Sequence, residues 1–455
     1  MSDPTVWRVR SPGDLSDELP EIAQGDVEKA VAASQRAFPG WRALSLAERT
    51  VILKDAQERI KARQEDLAQL IAREVGKPLR EARLELGAVI AKFDLTFADA
   101  QRFVEDEPVT DGLHPALIRR RPRGLAAVIA PFNFPIHLGH GAAVAYLLAG
   151  NAVLFKPSPL ATHVAVAYAR EMQAALPEGV FELVPGWGEV GQAICRHPAV
   201  RSVCFTGSVP VGTALARDLA ADYSKSLALE LGGKNSLIVC ADADLDLAAT
   251  AAADGLCLTA GQRCNATSRL LVDARVESAF FNKFRASLER YQPGDPRDEN
   301  TLLGPLVSAS AVERYRSLLQ QDGEWLVPGG VCEEVGGLRG HYVRPAILRA
   351  PRHIPEIEAF SPIATLETFA DSAEAIARHD IVPYGLSASI FTASEETFHE
   401  IGDSLAVGNL YRNLPTTFSP STLPFGGLGA SGNGHPGGRG FIRFATDEQA
   451  VQWKA

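Results

Sequence analysis

Cysteine is scarce in this sequence: six in 455 residues, at positions 195, 204, 240, 257, 264 and 332. None forms a CxxC pair and no Cys/His cluster has zinc-ligand spacing, so neither a disulfide framework nor a metal site is expected. Thiols used this sparingly fit a reduced, cytoplasmic setting. Positive charge is also in deficit, with a net charge of −10 that argues against non-specific nucleic-acid binding. The one basic cluster, "RRRPR" at residues 119–123, is short and isolated, as in a solvated or subunit-facing strand. The N-terminal stretch "MSDPTVWRVRSPGD" has no apolar h-region, so no secretory leader is expected.

A long uninterrupted apolar span is missing as well. Residues 124–155 carry no Asp, Glu, Lys or Arg and are long enough to cross a bilayer. Pro131, Asn133, Pro135, His137 and His140 break that stretch. What remains is two short apolar strands with a loop and a helix between them, the centre of a buried α/β unit and not a membrane span.

The composition, 46% hydrophobic and 22% charged, is that of an ordinary globular protein. Its length exceeds the roughly 250–300 residues at which single cores stop growing, which predicts at least two domains. The first hundred residues are patterned as helices. Ser45 and Glu48 form a capping box before one unbroken helical run to residue 75, Gly76 stops it, and Pro78 opens the next. From about residue 115, short apolar strands ("LAAVIA", "NAVLFK", "VFELVP", "SVCFTG") alternate with helical stretches. That alternation predicts βαβ units in a parallel, doubly wound sheet. A second run of the same kind starts at "NSLIVC" and passes through "YGLSASIFT"; the Gly-rich tail ends in a strand, "AVQWKA".

Two glycine-bearing turns are candidates for gripping a phosphate. "GWGEVG" (Gly186, Gly188, Gly191) matches GxGxxG, but no Asp or Glu follows about 20 residues on, so it reads as a tight strand-to-helix connection. In "FTGSVPVG", Gly207 turns the chain, Ser208 is placed to cap a helix, and Gly212 allows close packing. Free N–H groups at that helix start attract phosphate, and an ordinary capped helix fits the same residues.

Three stretches hold residues that packing does not explain. "PFNFP" sets Asn133 between aromatics and prolines, "LELGGK" sets Glu230 among leucines before a glycine pair, and "GQRC" presents Cys264 in a turn. A buried amide must be hydrogen-bonded, and a carboxylate in apolar surroundings has a raised pKa suited to a general base near neutral pH. Together they supply a nucleophile, a base and an oxyanion donor. Each has a plain alternative: a loop-bracing Asn, an edge-strand Glu facing water, an inert buried thiol.

In order along nearly the whole chain stand "PFNFP", "LAGNAVLFKPS", "FTGSVPVG", "LELGGKN", "GQRC", "EAFSP", "YGLSASIFT" and "PFGGLGASGNG". By these motifs the chain resembles the aldehyde dehydrogenase superfamily. The resemblance implies a Rossmann-like nucleotide domain (residues 1–100 and 123–231) and an α/β catalytic domain (232–439). It also implies a small β oligomerisation element (101–122 and 440–455) and a homodimer or homotetramer. It implies NAD- or NADP-dependent oxidation of an aldehyde through a thiohemiacetal and thioester on Cys264. Asn133 and the Cys264 N–H would then hold the oxyanion, and Glu230 would activate water.

For the cofactor the resemblance implies Lys156 at the adenosine ribose, Ser208 near the pyrophosphate, and Glu358 at the nicotinamide ribose. It implies that Phe132, Ser158, Gly207, Gly212, Leu231, Gly232 and Phe360 would line the same site, and Phe425 the substrate end. Pro159 stands where the family often has a ribose-binding glutamate, which leaves NAD against NADP open. Phe132 stands where tryptophan is common. Within the family, "FNFPIHLGHGAAVAYLLAGN" and "GGLGASGNGHP" are similar to succinylglutamate-semialdehyde dehydrogenases, and "GQRCNATSR" to other semialdehyde oxidisers. A carboxylated semialdehyde needs a basic contact, for which Arg412 is the first candidate and Arg263 the second. Either could equally be a structural salt-bridge partner. The rivals are a CoA-acylating dehydrogenase, which has no use for a water-activating Glu230, and a catalytically silent binding protein on the same fold. A cysteine hydrolase using His137 or His140 as base comes third.

Overall fold

Four amphipathic helices build the N-terminal layer: α1 (Val27–Ala43), α2 (Leu46–Ala62), α3 (Gln64–Val75) and α4 (Leu79–Phe103). The computed structural model describes residues 5–110, 114–349 and 358–454. Both halves of the Ser45–Glu48 capping box are present, and Gly76 ends α3 with φ +75°. The helical run expected to be continuous to residue 75 is instead broken at Arg63. That residue leaves the helical region (φ −106°, ψ 12°), closes α2 by bonding the carbonyls of Ile60 and Lys61, and pairs with Asp66 in the first turn of α3. The break lets α2 and α3 each follow the helix layer and touch both α4 and α6 (Thr162–Ala175).

The alternating apolar runs become five parallel strands: β1 (Leu125–Ile129), β2 (Ala152–Lys156), β3 (Phe181–Leu183), β4 (Val200–Thr206) and β5 (Ser226–Glu230). Their spatial order is 3-2-1-4-5. Every residue of β1 and β2 is buried, as strands covered on both faces require. The charge-free stretch is β1, helix α5 (His137–Leu148) and β2. Among the described residues no helix is long and apolar enough to cross a membrane. Gly186 sits in a tight link between β3 and α7 (Gly188–Arg196), where a Cβ would fall 2.4 Å from Val190. The order reverses between β1 and β4, and ligands of such sheets bind beyond the carboxyl ends of the strands at that reversal. Residues 130–135 follow β1 there, and Gly207 and Ser208 follow β4.

A second sheet holds β6 (Asn235–Val239), β7 (Thr267–Asp273), β8 (Trp325–Val335), β9 (Leu338–Arg349), β10 (Ile363–Phe369), β11 (Ser387–Phe391) and β12 (Asn409–Arg412). Its order is 8-9-10-7-6-11-12, parallel except for the β8–β9 hairpin. Helix α9 (Leu245–Cys257) packs on one face through a run of buried alanines. A third, antiparallel sheet joins Glu107–Thr110, Pro115–Pro122 and Thr446–Gln452. Its basic cluster is matched by acids: Arg119 with Asp106, Arg120 with Glu107 and Glu448, Arg123 with Asp447. Only four residues, 231–234, separate β5 from β6, so the carboxyl edge of the first sheet meets the amino edge of the second.

Candidate active site

Glu230 is the last residue of β5, and β5 is not left as an open edge. The short strand Gly432–Asn433 pairs along it, and Leu231 N–H donates to the Ser431 carbonyl at 2.9 Å. The glutamate is therefore buried, not the water-facing edge residue of the plain alternative, and neither carboxylate oxygen has a regular hydrogen-bond partner. An unpartnered buried carboxyl resists ionisation. Burial pushes its pKa up to about 8, opposed next by hydrogen bonding from the Cys264 thiol beside it and aided last by the Glu358 charge.

Cys264 is delivered by a strained turn. Thr259 (φ 53°), Ala260 (φ 53°) and Gly261 (φ 70°) are three successive left-handed residues. Gly261 is required there, since a Cβ would fall 2.5 Å from the Ser361 backbone. Left-handed non-glycine residues cost of order 1–2 kcal/mol each, so the turn needs outside support. Glu81, in the first turn of α4, supplies it. Its carboxylate accepts from Thr259 N–H (3.1 Å), Thr259 Oγ1 (2.8 Å) and Arg263 Nη2 (2.6 Å). After the turn, Asn235 Nδ2 donates to the carbonyls of Cys264 (2.8 Å) and Ala266 (2.9 Å). Asn133 joins from the loop after β1, its Nδ2 donating to the Gln262 carbonyl at 2.8 Å. The amide has a second N–H, so it can serve an oxyanion without giving up that bond.

The Cys264 thiol is held well above the ordinary cysteine range by burial and by the adjoining Glu230 and Glu358 carboxyls. Arg263 does not offset this, because its guanidinium is turned to Glu81 and lies 5.0 Å from the Phe134 ring centre. Glu81→Ala would leave Arg263 and the Thr259 N–H without their partner in a buried setting. Breaking such a pair costs roughly 3 kcal/mol. Chemical denaturation should show that loss, together with a fall in kcat; a variant as stable as the parent would contradict this account of the turn.

The proposed cofactor residues follow the carboxyl ends of β1, β2, β4 and β5, with Glu358 and Phe360 brought against them from the chain before β10. Lys156 ends β2, buried, with Nζ donating to the Pro157 carbonyl at 3.0 Å. Ser158 Oγ accepts from Leu160 N–H at 3.3 Å. Gly207 N–H bonds the Glu230 carbonyl at 3.0 Å, which ties the β4 turn to the end of β5. Ser208 stands at the N-cap of α8 (Val209–Leu219), yet its hydroxyl makes no cap bond, unlike Asp26, Ser45 and Asp244 on α1, α2 and α9. The expected cap is thus met in position and not in bonding. A helix start whose cap side chain leaves the first-turn N–H groups alone fits a phosphate. Gly212 does allow close packing: a Cβ would fall 2.5 Å from Leu231. Glu358 lies over Gly232, where a Cβ would fall 2.1 Å from its carboxylate, and it accepts from Gly233 N–H at 3.2 Å. Burial raises its pKa to about 7. Phe360, itself left-handed at φ 48°, meets Phe132 edge to face at 5.8 Å.

On the substrate side the structure brings Phe425 to Cys264, together with Leu386, in one buried cluster. It does not bring Arg412. Neighbours on a strand point to opposite faces. Tyr411 faces the thiol, whose proximity adds to the burial that pushes its pKa up to about 12. Arg412 points the other way, donating to the Ala393 carbonyl at 2.6 Å with Phe398 at 6.0 Å. His137 and His140 belong to helix α5; His140 Nδ1 pairs with Tyr168, and burial holds His137 down at about 4. Neither is a base for Cys264. Glu81 and Tyr411 lie outside the matched motifs, Asn235 and Leu386 stand unremarked inside "LELGGKN" and "YGLSASIFT", and only strand parity could have preferred Tyr411 to Arg412.

The model of the aldehyde dehydrogenase family matches residues 7–451. An N-succinylglutamate 5-semialdehyde dehydrogenase of Burkholderia thailandensis is 37% identical over 445 residues, covering 95% of this chain and 90% of that protein. Among solved structures, an NAD-dependent aldehyde dehydrogenase from Sinorhizobium meliloti superposes with a TM-score of 0.93 at 31% identity, covering 98% of this chain and 91% of that one. A mutant indole-3-acetaldehyde dehydrogenase of P. syringae, in complex with NAD+ and IAA, gives 0.94 at 29% identity, with 99% and 93% covered.

Proposed function

Because this chain belongs to the aldehyde dehydrogenase family, we propose that Cys264, Asn133 and Glu230 oxidise an aldehyde to its carboxylic acid with NAD as hydride acceptor. One observation carries the assignment: a buried, unpartnered carboxyl adjoins a buried thiol, and an amide donor is tied to the loop that bears the thiol. Cys264 Sγ, after losing its proton to solvent, bonds to the aldehyde carbon as the C=O π pair moves to oxygen, giving the thiohemiacetal anion. Its oxyanion accepts from the second Asn133 N–H and from the Cys264 backbone N–H. Hydride leaves that carbon, and a thioester remains on Cys264. Ionised Glu230 takes a proton from water, the water oxygen bonds to the acyl carbon, and the C–S bond breaks to release the Cys264 thiolate.

A bound nicotinamide dinucleotide supplies the hydride acceptor. Lys156, Ser158, Gly207, Ser208 and Gly212 would hold its adenosine and pyrophosphate, and Leu231, Gly232, Glu358, Phe360 and Phe132 the nicotinamide half. The two NAD-linked structural relatives support NAD as the nucleotide. Residues 1–100 and 123–231 form the nucleotide domain in this assignment and 232–439 the catalytic domain. The three-stranded sheet of residues 101–122 and 440–455 joins subunits into a dimer or tetramer.

A narrower assignment, to N-succinylglutamate 5-semialdehyde, is supported by the relatives at 37% identity. The test of the main assignment is NADH formation from an aldehyde panel without CoA. Turnover in plain buffer is expected, since Glu230 exists to activate water. Turnover that begins only on adding CoA would assign the acylating reaction instead.

A further inference from the structure

Glu81 and Glu85 stand one turn apart on α4, both buried, and each carboxylate grips a different loop of the active site. Glu81 holds the turn that delivers Cys264, through Thr259 and Arg263. Glu85 holds the other side. Its Oε1 accepts from Ile136 N–H and His137 N–H, each at 3.1 Å. These amides open α5, whose own N-cap residue, Ile136, makes no side-chain cap bond. Asn133 lies three residues before Ile136 on the same loop. Side chains four apart project from one face of a helix, so both loops are held from one rigid edge.

Asn133 completes the circuit by donating to the carbonyl of Gln262, the neighbour of Arg263. The path from α4 through Glu85, Asn133, Gln262, Arg263 and Glu81 returns to α4, a closed ring around the two oxyanion donors. The start of α4 is itself fixed, with Leu79 N–H donating to the Pro296 carbonyl at 2.8 Å. Lys77 stands just before it. Its ammonium pairs with Glu85 Oε2, both side chains fully buried, and lies 3.7 Å from the ring centre of Phe134, next to Asn133. A buried ion pair adds little stability of its own, since apolar residues of similar volume often serve as well. The pair is explained instead by what Glu85 holds.

We propose that Glu85, with Lys77 as its counter-ion, is a positioning residue for the oxyanion: together with Glu81 on α4, it sets the Asn133 amide at a fixed distance from the Cys264 N–H. This rests on the oxyanion role assigned to Asn133 above. Neither Lys77 nor Glu85 touches the substrate; both act through the loop of residues 131–135. Loosening that grip lets the two donors drift apart, and a displacement of about 1 Å costs on the order of 100-fold in rate.

The test is the single-turnover rate of NADH formation, with the full chain in excess of hexanal and NAD saturating, so that deacylation does not enter. Asn133→Ala should slow it roughly 100-fold to 1,000-fold. Lys77→Met/Glu85→Ala removes both charges together, leaves neither unpaired, and should slow it roughly 100-fold. Lys77→Met/Glu85→Gln keeps an acceptor for both amides and should stay within about fivefold of the parent. The decisive comparison adds Asn133→Ala to Lys77→Met/Glu85→Ala. The ring is then already open, so the triple variant should be at most about twofold slower than Asn133→Ala alone. Losses that multiply would make the pair a general support of the fold and overturn the proposal, while leaving Asn133 in its role. Lys77→Met/Glu85→Gln as slow as Lys77→Met/Glu85→Ala would also overturn it. If Lys77→Met/Glu85→Ala does not fold, Glu85→Asp takes its place in the same cycle. That variant keeps the charge, withdraws the acceptor by one methylene and should lose roughly tenfold. A folded variant of either kind as fast as the parent would overturn the proposal. Asn133→Ala as fast as the parent would remove the oxyanion assignment itself, and the proposal with it.

Discussion

Cys264→Ala is expected to lose NADH formation by about ten-thousand-fold or more while folding as the parent does. Removing the nucleophile of a covalent mechanism leaves only binding and the oxyanion donors, and such losses span roughly 10,000-fold to a million-fold. The fold should survive because the bonds that fix this turn do not use the sulfur. Asn235 holds the Cys264 carbonyl, Glu81 holds Thr259 and Arg263, and Asn133 holds the Gln262 carbonyl. Stopped-flow nicotinamide absorbance, with thermal unfolding as control, checks both halves. Substantial residual turnover in a well-folded variant would remove Cys264 from the chemistry.

Glu230→Gln is expected to separate the two halves of the reaction. Loss of a general base costs roughly 100-fold to 10,000-fold in the step it serves. That step is attack of water on the thioester, so the variant should release about one NADH per site in a burst and then stall. The burst itself should be no slower than in the parent. Glu230 is one of the charges that hold the Cys264 thiol protonated, so its removal lets the thiol ionise at lower pH. The parent's pH profile follows from the same group. A carboxyl raised to about 8 is mostly protonated below that pH, and only its ionised form can accept a proton. Deacylation in the parent should therefore climb as pH rises through about 8 and level off above it, and the climb should vanish in Glu230→Gln. A variant that loses its burst along with its turnover would mean that Glu230 serves the thiol and not the water.

Much of this site was legible in the sequence because it lies where element ends are written in short, unusual motifs. "LELGGK" marks the end of β5, "PFNFP" the loop after β1 and "FTGSVPVG" the turn after β4; the strand order then sets the three side by side. The misses share a cause, which is that they depend on direction or on distant partners. Arg412 was the right strand at the wrong parity: Tyr411, one residue away, faces the thiol. Ser208 is where a cap belongs, but whether a hydroxyl turns to its own helix is a rotamer choice that spacing does not encode. The helix break at Arg63 has no glycine or proline to announce it and is set by packing against α4 and α6. Glu81 holds the nucleophile's turn from 183 residues away (264 − 81), so no local motif includes both.

The central claim is a thioester on Cys264 that Glu230 hydrolyses, and intact-mass spectrometry of Glu230→Gln tests it most directly. The variant is mixed with NAD and hexanal, quenched in acid after the burst, and weighed, then digested to locate any adduct. The account expects a hexanoyl adduct at one per chain, on the peptide holding Cys264, in amount equal to the NADH released. NADH released in that burst without an adduct, or an adduct on another residue, would contradict it.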